Sequence, residues 1–317
     1  MRWIKKGLIF KPDHNFPWMI SHAAIPVVDS MNEGKLRIYY SSRDSQGRSH
    51  PTYIEVDDSD PSRIIYIHDR PILPLGDAGT FDDNGIMPSW IVNHGGTKYL
   101  YYIAWNPQVT VSYRLAIGLA ISTDGGKTFE KYSDGPICDR DISEPFFNTA
   151  PCVLKDGDRW RMWYVSCTGW RLINDRQEPL YNIKYAESKD GIYWTRTGHI
   201  CIGYDNFTEA IGRPSVYFKD DKFRMLYSYR SASNYRTDPV KSYRLGYAES
   251  SDGLHWTRFD EQVGIDRSSQ GWDSEMIEYC YRHDQGNSTY LFYNGNGFGM
   301  SGVGYAKLET ESLKQDG

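Results

Sequence analysis

The sequence predicts an all-β protein, a five-bladed β-propeller built from four-stranded antiparallel blades, and three observations point to it. An aromatic-rich segment ends in a tyrosine that recurs at intervals of 62, 62, 63 and 66 residues, at Tyr40, Tyr102, Tyr164, Tyr227 and Tyr293. A proline that opens an apolar run precedes the first four tyrosines by 13 or 14 residues, at Pro26, Pro88, Pro151 and Pro214. The segment YAESKDGIYWTR at 185–196 returns as YAESSDGLHWTR at 247–258. Landmarks that keep one period indicate five copies of one supersecondary unit.

Each copy is predicted to contain four short strands in a fixed order. An apolar first strand such as PSVYFKD turns into an aromatic second strand such as FRMLYSY, and LGYAES forms the third strand. The tetrapeptide S-x-D-G follows, in which Asp caps the backbone and Gly supplies a positive φ, and the fourth strand begins at Trp194, Trp256 or Phe129. Four antiparallel strands repeated around an axis describe a propeller blade. In the fifth copy we assign the proline position to Ile277.

The last copy has only three strands, and the N-terminus supplies the missing one. RWIKKGLIF aligns with YWTRTGHICI, which places Trp3 against Trp194 and Gly7 against Gly198. We therefore expect the N-terminal strand to close the last blade of a single domain spanning 1–317. The predicted blades cover residues 20–75, 80–140, 144–204, 208–266 and 271–309, the last together with strand 2–10.

The composition narrows the class of protein. With 36 Lys and Arg against 41 Asp and Glu, well mixed, the net charge of −5 gives no nucleic-acid footprint. No apolar run approaches the length of a membrane span, and no signal peptide is seen, so a cytoplasmic location is expected. Five scattered cysteines without a CxxC pair disfavour a disulfide framework or a zinc site. No cofactor is indicated; a structural calcium ion in the centre and the oligomeric state stay open.

Five units of this length with YAES-x-DG-x-x-W corners resemble the five-bladed glycosidase superfamily, which includes glycoside hydrolase families 32, 43, 68, 117 and 130. The corner STDGGKTF at 122–129 is also similar to the sialidase Asp box, but sialidase propellers have six blades. The resemblance covers nearly the whole chain and implies a carbohydrate-active protein with its site in a central funnel. A small-molecule or oligosaccharide ligand is the expected partner.

Two groups of polar and aromatic side chains are expected to converge on that funnel. The starts of first strands and the ends of second strands share one face of an antiparallel ring. The segments that lead into first strands supply His22, Asp83, Asn84, Glu144, Asn148, Glu209, Arg213, Asp273 and Glu275. The ends of second strands and the loops after them supply Arg43, Trp105, Trp170 and Arg230. Carboxyl groups, amide and guanidinium donors and flat aromatic rings are the ingredients of a sugar site.

Glycosidases need two carboxyl groups, one protonated as acid and one ionised as base or nucleophile. The leading pair is Glu209 as the acid and Asp83 as the base, with Glu144 and Glu275 as further catalytic candidates. A carboxylate before a strand is more commonly a turn cap. Arg213 has a second interpretation, as the ion-pair partner of Glu209. The remaining residues of the two groups are assigned to substrate binding, although each tryptophan has an alternative role in packing.

The resemblance does not extend to the usual catalytic triad. Families 32 and 43 carry an Asp on the first blade, an Asp on the third and a Glu on the fourth, within a residue or two of the opening proline. The residues two before those prolines are here Ala24, Thr149 and Gly212. Either the acid and base have moved, as in families 117 and 130, or the protein binds a sugar without cleaving it.

The arginines refine the expected ligand. Arg43 and Arg230 occupy equivalent positions in two blades, and guanidinium groups match carboxylate and phosphate bidentately. They predict an acidic sugar, that is, a uronate, a sialic-type acid or a phosphorylated sugar. The leading hypothesis is a glycoside hydrolase-like or phosphorolytic enzyme. The alternatives are a non-catalytic sugar-binding or polysaccharide-biosynthesis accessory propeller and, less favoured, a protein-interaction scaffold.

Overall fold

A computed structural model describes residues 1–204 and 208–309, and nearly all regular structure in it is β-strand. The strands of the first half are β1 Trp3–Phe10, β2 Ser21–Met31, β3 Lys35–Arg43, β4 Ser49–Asp57, β5 Ile64–Ile67, β6 Gly85–His94, β7 Thr97–Pro107, β8 Tyr113–Ser122 and β9 Glu130–Lys131. Those of the second half are β10 Asn148–Asp156, β11 Arg159–Ile173, β12 Arg176–Ser188, β13 Thr195–Ile202, β14 Glu209–Lys219, β15 Lys222–Ser231, β16 Arg244–Ser250, β17 Thr257–Arg258, β18 Glu278–Gln285, β19 Ser288–Asn294 and β20 Val303–Leu308. A 3-10 helix spans Asp260–Gln262, and the short helical segment α1 spans Asn296–Gly299. Within the described ranges, no helix is long and apolar enough to cross a membrane.

Four-stranded antiparallel sheets recur along the chain. Strands β10 to β13 form one sheet, β14 to β17 a second, and β18, β19 and β20 join β1 in a third. The remaining strands form one longer path, in which β2 to β5 and β6 to β9 are linked by a single parallel pair between Ser49 and Gly85. The first strands of these groups contact one another in the closed order β2, β6, β10, β14, β18 and back to β2. The all-β prediction is confirmed, with sheets arranged as a propeller requires.

The N-terminal strand pairs with the last strand of the described chain. Trp3 lies opposite Leu308 in an antiparallel ladder, and its indole N–H donates to the Val263 carbonyl at 3.0 Å. The two ends therefore share one sheet, which is the pairing expected from the alignment of Trp3 with Trp194. Because β1 hydrogen-bonds to β20, the sheet is completed by residues about 300 positions apart in the sequence.

The fifth copy starts later than the sequence indicated, and the assignment of Ile277 to the proline position is wrong. Tyr281 pairs with Phe292 just as Ser215 pairs with Leu226, which makes Cys280 the counterpart of Pro214. The backbone agrees: the residue before this position has a positive φ in Arg213 and again in Tyr279. The connection that leads into β18 is longer than in the other copies. The position equivalent to the proline therefore lies at Cys280, three residues after Ile277.

The doubled dodecapeptide forms the contact between neighbouring sheets. Asp190 accepts hydrogen bonds from the backbone N–H groups of Ile192 and Tyr193 at 2.8 and 2.9 Å, which closes the turn. The Gly191 carbonyl then accepts from Tyr101 Oη of the preceding sheet at 2.8 Å. The same pairing recurs from Tyr39 to the Gly126 carbonyl and from Trp163 to the Gly253 carbonyl. The corner is repeated because the turns at Gly126, Gly191 and Gly253 each contact the strands of the preceding repeat.

A second repeated network surrounds the landmark tyrosines. The Tyr102 hydroxyl donates to Asp82 at 3.0 Å, and Lys131 on the fourth strand pairs with the same carboxylate at 2.8 Å. Burial raises the pKa of Tyr102 far above its ordinary value, so the hydroxyl keeps its proton and stays a donor. The equivalent sets of tyrosine, carboxylate and cation are Tyr164 with Glu144 and Arg196, Tyr227 with Asp260 and Arg258, and Tyr293 with Asp273 and Lys5. These carboxylates tie the fourth strand of a sheet to its second strand.

Candidate functional site

A cavity of about 250 Å³ lies where the first strands converge. Its wall takes residues from the starts of all five of them, namely Ile25, Met87, Ala150, Arg213 and Tyr279. The ends of second strands, which the sequence predicts on this face, the starts of third strands and nearby loops complete the wall. We call this cavity the central pocket. Concave sites with mostly apolar walls and a few polar groups are the usual form of small-molecule sites.

Arg43 is a charged group of the central pocket whose guanidinium the described residues leave unpaired. Its side chain lines the cavity, and within residues 1–204 and 208–309 no hydrogen bond or ion pair holds its guanidinium. Burial lowers the pKa of Arg43, while the nearby Glu278 and Tyr279 act in the opposite direction. An arginine remains protonated in spite of such a shift. The pocket therefore presents a cation with free hydrogen-bond donors.

A second guanidinium, Arg236, reaches the central pocket from the loop between β15 and β16. Its Nε donates to Glu178 at 3.0 Å, and its plane lies over the rings of Tyr235 and Phe298 at 4.6 and 5.1 Å. Arg236 is thus already paired and oriented, in contrast to Arg43. It was missed from the sequence, because the loop length before β16 varies between copies and provides no positional signal.

Aromatic rings form much of the remaining wall. Trp105 lines the cavity as predicted. Four further rings that the sequence analysis did not predict also line it, namely Tyr113, Phe147, Tyr181 and Tyr243. Such rings give flat apolar faces, and the tyrosines add hydroxyl groups that hydrogen-bond. Among the described residues, no Asp or Glu lines the cavity.

Trp170 and His22 lie near the central pocket without forming its wall. The Trp170 ring packs edge-on against Tyr113 and Phe147 at 5.3 and 5.9 Å, so it supports two lining residues from behind. His22 Nδ1 lies 2.9 Å from Ser21 Oγ. Burial and the charge of Arg43 lower the pKa of His22 to about 4, which leaves the ring neutral at ordinary pH.

Arg213 stands at the bottom of the central pocket as a structural crosslink. Its guanidinium donates to the carbonyls of Tyr279 at 2.7 Å, Pro26 at 2.9 Å and Ser89 at 3.1 Å, on three different first strands. The alternative prediction that it pairs with Glu209 is wrong, because Glu209 pairs with Arg258 at 2.9 Å. Burial lowers the pKa of Arg213 to about 10, so it keeps its charge among these carbonyl dipoles.

Arg230 is equivalent to Arg43 in sequence but not in environment. It is 1% exposed, and its Nε donates to the hydroxyls of Tyr181 and Tyr243 at 3.2 and 3.3 Å, while Nη2 donates to the Pro179 carbonyl. Its guanidinium also stacks on Tyr235 at 3.7 Å. Arg230 therefore positions lining tyrosines from behind the wall.

The leading catalytic pair is not brought together at the central pocket. Asp83 accepts from the Asn106 amide at 2.7 Å and from the Gly79 N–H at 2.9 Å, which closes the loop before β6. Glu209 is held by Arg258. Neither carboxylate lines the cavity, and the two share no partner among the described residues.

The other predicted residues lie outside the pocket wall as well. Glu144 accepts from Tyr164, Ser166 and Asn148 at 2.6 to 2.7 Å and is 2% exposed, so both Glu144 and Asn148 belong to a buried network. Asp273 belongs to the equivalent network with Lys5 and Tyr293. Glu275 is exposed, and Asn84 contributes its carbonyl to the Ser49 N–H. Of the acidic residues before the first strands, Asp82, Glu144 and Asp273 belong to the tyrosine–carboxylate–cation networks.

Glu278 is a carboxyl group next to the pocket that was missed from the sequence. It stands two residues before Cys280, and three lining residues hold the same position in their own sheets: Ala24, Thr149 and Gly212. Counting back from Tyr293 by the interval of the other copies would have found the start of this strand. Glu278 is fully buried, and Asn294 donates to its Oε1 at 2.9 Å.

The fold is shared with solved glycoside-active proteins. A structure described as a BT0996 complex with RGII has a TM-score of 0.73 at 18% identity, covering 98% of this chain and 92% of its own. A thermostable family-43 glycoside hydrolase has a TM-score of 0.66 at 16% identity, with 96% and 94% covered. A structure from work on the GH130 family of mannoside phosphorylases, which contains glycoside hydrolases that target beta-1,2 mannosidic linkages in Candida mannan, has 0.71 at 18%, with 98% and 94% covered. The resemblance to the family 43 and 130 propellers is confirmed at the level of the fold.

Sequence relatives are much closer. No protein-family model matches the chain. Two proteins of Mycobacterium tuberculosis, named "Uncharacterized protein Rv1502" and "Uncharacterized protein MT1551", are each 39% identical over 313 residues, which is 98% of this chain and 100% of theirs. At that identity over the full length, the chain belongs to the same family as Rv1502 and MT1551.

Proposed function

We propose that the protein is a carbohydrate-active, five-bladed propeller that takes an acidic sugar into the central pocket and processes a glycoside of that sugar. The observation that carries the proposal is Arg43, whose guanidinium lines an aromatic pocket and has no hydrogen-bond partner in the described chain. A cation left in this state is matched by a carboxylate or phosphate group of a ligand.

The sugar class is supported by the fold and by the wall of the pocket. The solved structures with this architecture are described as glycoside hydrolases, as members of a phosphorylase family and as a complex with RGII. The central pocket occupies the position where the first strands meet, and Trp105, Phe147 and Tyr181 offer ring faces to a pyranose. A cavity of about 250 Å³ suits one sugar ring rather than a long polymer.

The charge of Arg43 gives the expected selectivity. A hydrogen bond to a charged group contributes roughly 1.5–3 kcal/mol. Since 1.4 kcal/mol is about a factor of ten in affinity, an acidic sugar is expected to bind roughly 10- to 100-fold more tightly than its neutral counterpart. The shared chemistry is an anionic oxygen group, which a uronate, a sugar phosphate or free phosphate supplies.

The test is calorimetric titration of the wild type and Arg43→Gln with glucuronate, glucose 1-phosphate, inorganic phosphate and methyl glucoside. Arg159→Gln is the matched control, because Arg159 lies in the β10–β11 hairpin and is 54% exposed. We expect Arg43→Gln to lose roughly 10-fold or more in affinity for an anionic ligand, and the control to lose none. The three anions separate a sugar acid from a sugar phosphate and from phosphate alone.

Turnover is followed in the same samples with nitrophenyl glucuronide and nitrophenyl glucoside, with and without phosphate. The Asp83→Asn, Glu209→Gln double variant tests the acid and base predicted from the sequence. Binding of glucuronate with no release by any protein would reduce the function to binding alone. A pocket that prefers methyl glucoside, or that ignores Arg43→Gln, would contradict the acidic ligand.

A further inference from the structure

Glu278 is a buried carboxyl group beside the central pocket, and only one of its two oxygens has a hydrogen-bond partner among the described residues. Asn294 donates to Oε1, and the Asn294 amide oxygen in turn accepts from the Ile25 N–H at 3.1 Å. Oε2 is inaccessible and has no hydrogen-bond partner among the described residues. Ile25, like the adjacent Tyr279, lines the pocket, so Glu278 lies directly behind that part of the wall.

Three arginines lie near enough to this carboxyl group to act on it electrostatically. Arg43 ends β3, Arg230 lies on β15 and Arg236 on the loop after it, and all three act electrostatically on Glu278. Arg230 and Arg236 have other partners, in the tyrosine hydroxyls and in Glu178. Arg43 is therefore the cation for which Glu278 and an incoming anion would compete.

The remaining titratable neighbours do not change charge near neutral pH. His22, which faces Arg43, is neutral because its pKa is lowered to about 4. Burial raises the pKa values of Tyr243 and Tyr279 well above 10, so both keep their protons. For Glu278, burial outweighs the three arginines and raises the pKa to about 8. The carboxyl is thus mostly neutral at pH 7, and Arg43 keeps an uncompensated positive charge.

We propose that Glu278 is the specificity-determining residue of the central pocket: while neutral it leaves Arg43 to the acidic group of the ligand, and once ionised it takes the place of that group. This inference rests on the proposed function, since it concerns the same pocket and the same anionic ligand. The bound anion and the ionised carboxyl of Glu278 compete, because the two negative charges repel each other and the single charge of Arg43 can compensate only one of them.

The competition has a defined sign. Anion binding next to Arg43 favours the neutral form of Glu278, so a proton is taken up when the ligand binds at a pH where the free protein has lost it. The affinity for the anion is then constant at low pH. It falls by up to about tenfold per pH unit above the point where Glu278 ionises.

The experiment uses glucuronate, whose own charge does not change between pH 6.5 and 9. Wild type, Glu278→Gln and the surface control Glu261→Gln are titrated calorimetrically at both pH values, in two buffers of different ionisation enthalpy. For the wild type and the control we expect affinity to fall roughly tenfold between pH 6.5 and 9, with uptake of about one proton per ligand at pH 9. In Glu278→Gln the affinity should change less than about twofold, with no proton uptake.

Each outcome decides between the two proposals. Glucuronate binding that is equally strong at both pH values in the wild type, without proton uptake, would overturn the role of Glu278 and leave the acidic-ligand proposal standing. A wild type that binds none of the three anions (glucuronate, glucose 1-phosphate and phosphate) at pH 6.5 would overturn both. Persistence of the pH dependence in Glu278→Gln would assign it to another group and also overturn the inference.

Discussion

Two ionisable side chains from different sheets, Arg43 in the wall of the central pocket and Glu278 directly behind that wall, retain polar atoms that the described residues do not satisfy. Arg43 ends the second strand of one sheet, and Glu278 begins the first strand of another. Elsewhere the protein pairs its buried charges thoroughly, as with Glu144 and its three donors. Ionisable groups that keep unpaired polar atoms beside a cavity are typical of a ligand site.

Glu278 should also make stability depend on pH. Its pKa is raised from 4.5 to about 8 by burial, so the folded protein holds a proton that the unfolded chain has lost between these values. The free energy of unfolding therefore falls as pH rises through this window and is constant above it. Glu278→Gln removes this loss, so the variant should exceed the wild type by roughly 3–5 kcal/mol near pH 8 and by little at pH 4.5.

The measurement is denaturant unfolding at pH 4.5, 6.5 and 8 for the wild type, Glu278→Gln and Glu261→Gln. Parallel curves for the wild type and Glu278→Gln would show that Glu278 is ionised in the folded protein. The control should follow the wild type, because Glu261 is exposed.

Among the structural elements, the S-x-D-G corner is a connector between sheets. Gly191 adopts a φ of +77°, and a Cβ added there would lie 2.7 Å from Tyr101 Oη and 2.9 Å from the Trp160 ring. The glycine is needed both for the backbone conformation and for the approach of the neighbouring sheet. This contact explains why an aromatic residue on the second strand, such as Tyr101, recurs together with the Asp-Gly turn.

Tyr101→Phe should weaken this connection without disturbing the sheet. The change removes the 2.8 Å hydrogen bond to the Gly191 carbonyl and leaves a buried acceptor unpaired. The expected cost is about 1–3 kcal/mol in the free energy of unfolding, measured by denaturant titration. Tyr193→Phe is the control, since Tyr193 is 74% exposed. Equal stability of the two variants would mean that the corner contact contributes nothing.

Across the protein as a whole, Arg213 joins the first strands at the centre. It starts on β14 and donates to carbonyls on β18, β2 and β6. Each of these carbonyls belongs to a residue within or beside a bulge, where the ladder leaves an acceptor free. One long cationic side chain thereby satisfies the bulges of three other strands.

Arg213→Met should destabilise the whole protein. Met has a similar length but no donor, so several buried carbonyls lose their partner at about 1–3 kcal/mol each. We expect a loss of roughly 3 kcal/mol or more in the free energy of unfolding, against none for Arg159→Met. If Arg213→Met unfolds at the same denaturant concentration as the wild type, the structural role is contradicted. Arg213 would then again be a candidate for ligand binding.

The carboxylates show where prediction from the sequence stopped. Asp83, Glu144 and Asp273 precede first strands and Glu209 begins one, which is the position that the sequence could recognise. Their direction depends on partners from other segments: Asn106 for Asp83, Arg258 for Glu209, and a tyrosine with a fourth-strand cation for the other two. Glu278 was not predicted, because a longer connection places its strand later in the sequence than the repeat pattern indicates.

The strands, their turns and their repetition could be predicted from the sequence, because they follow from local patterns: alternating apolar residues, Asp-Gly turns and a period of about 62 residues. The same patterns predicted that Arg43 and Trp105 reach one central cavity, since both end second strands. Which charges meet in that cavity could be learned from the folded protein alone. Charges from strands hundreds of residues apart become neighbours through strand register and sheet packing, and burial then determines which of them stay paired, neutral or free.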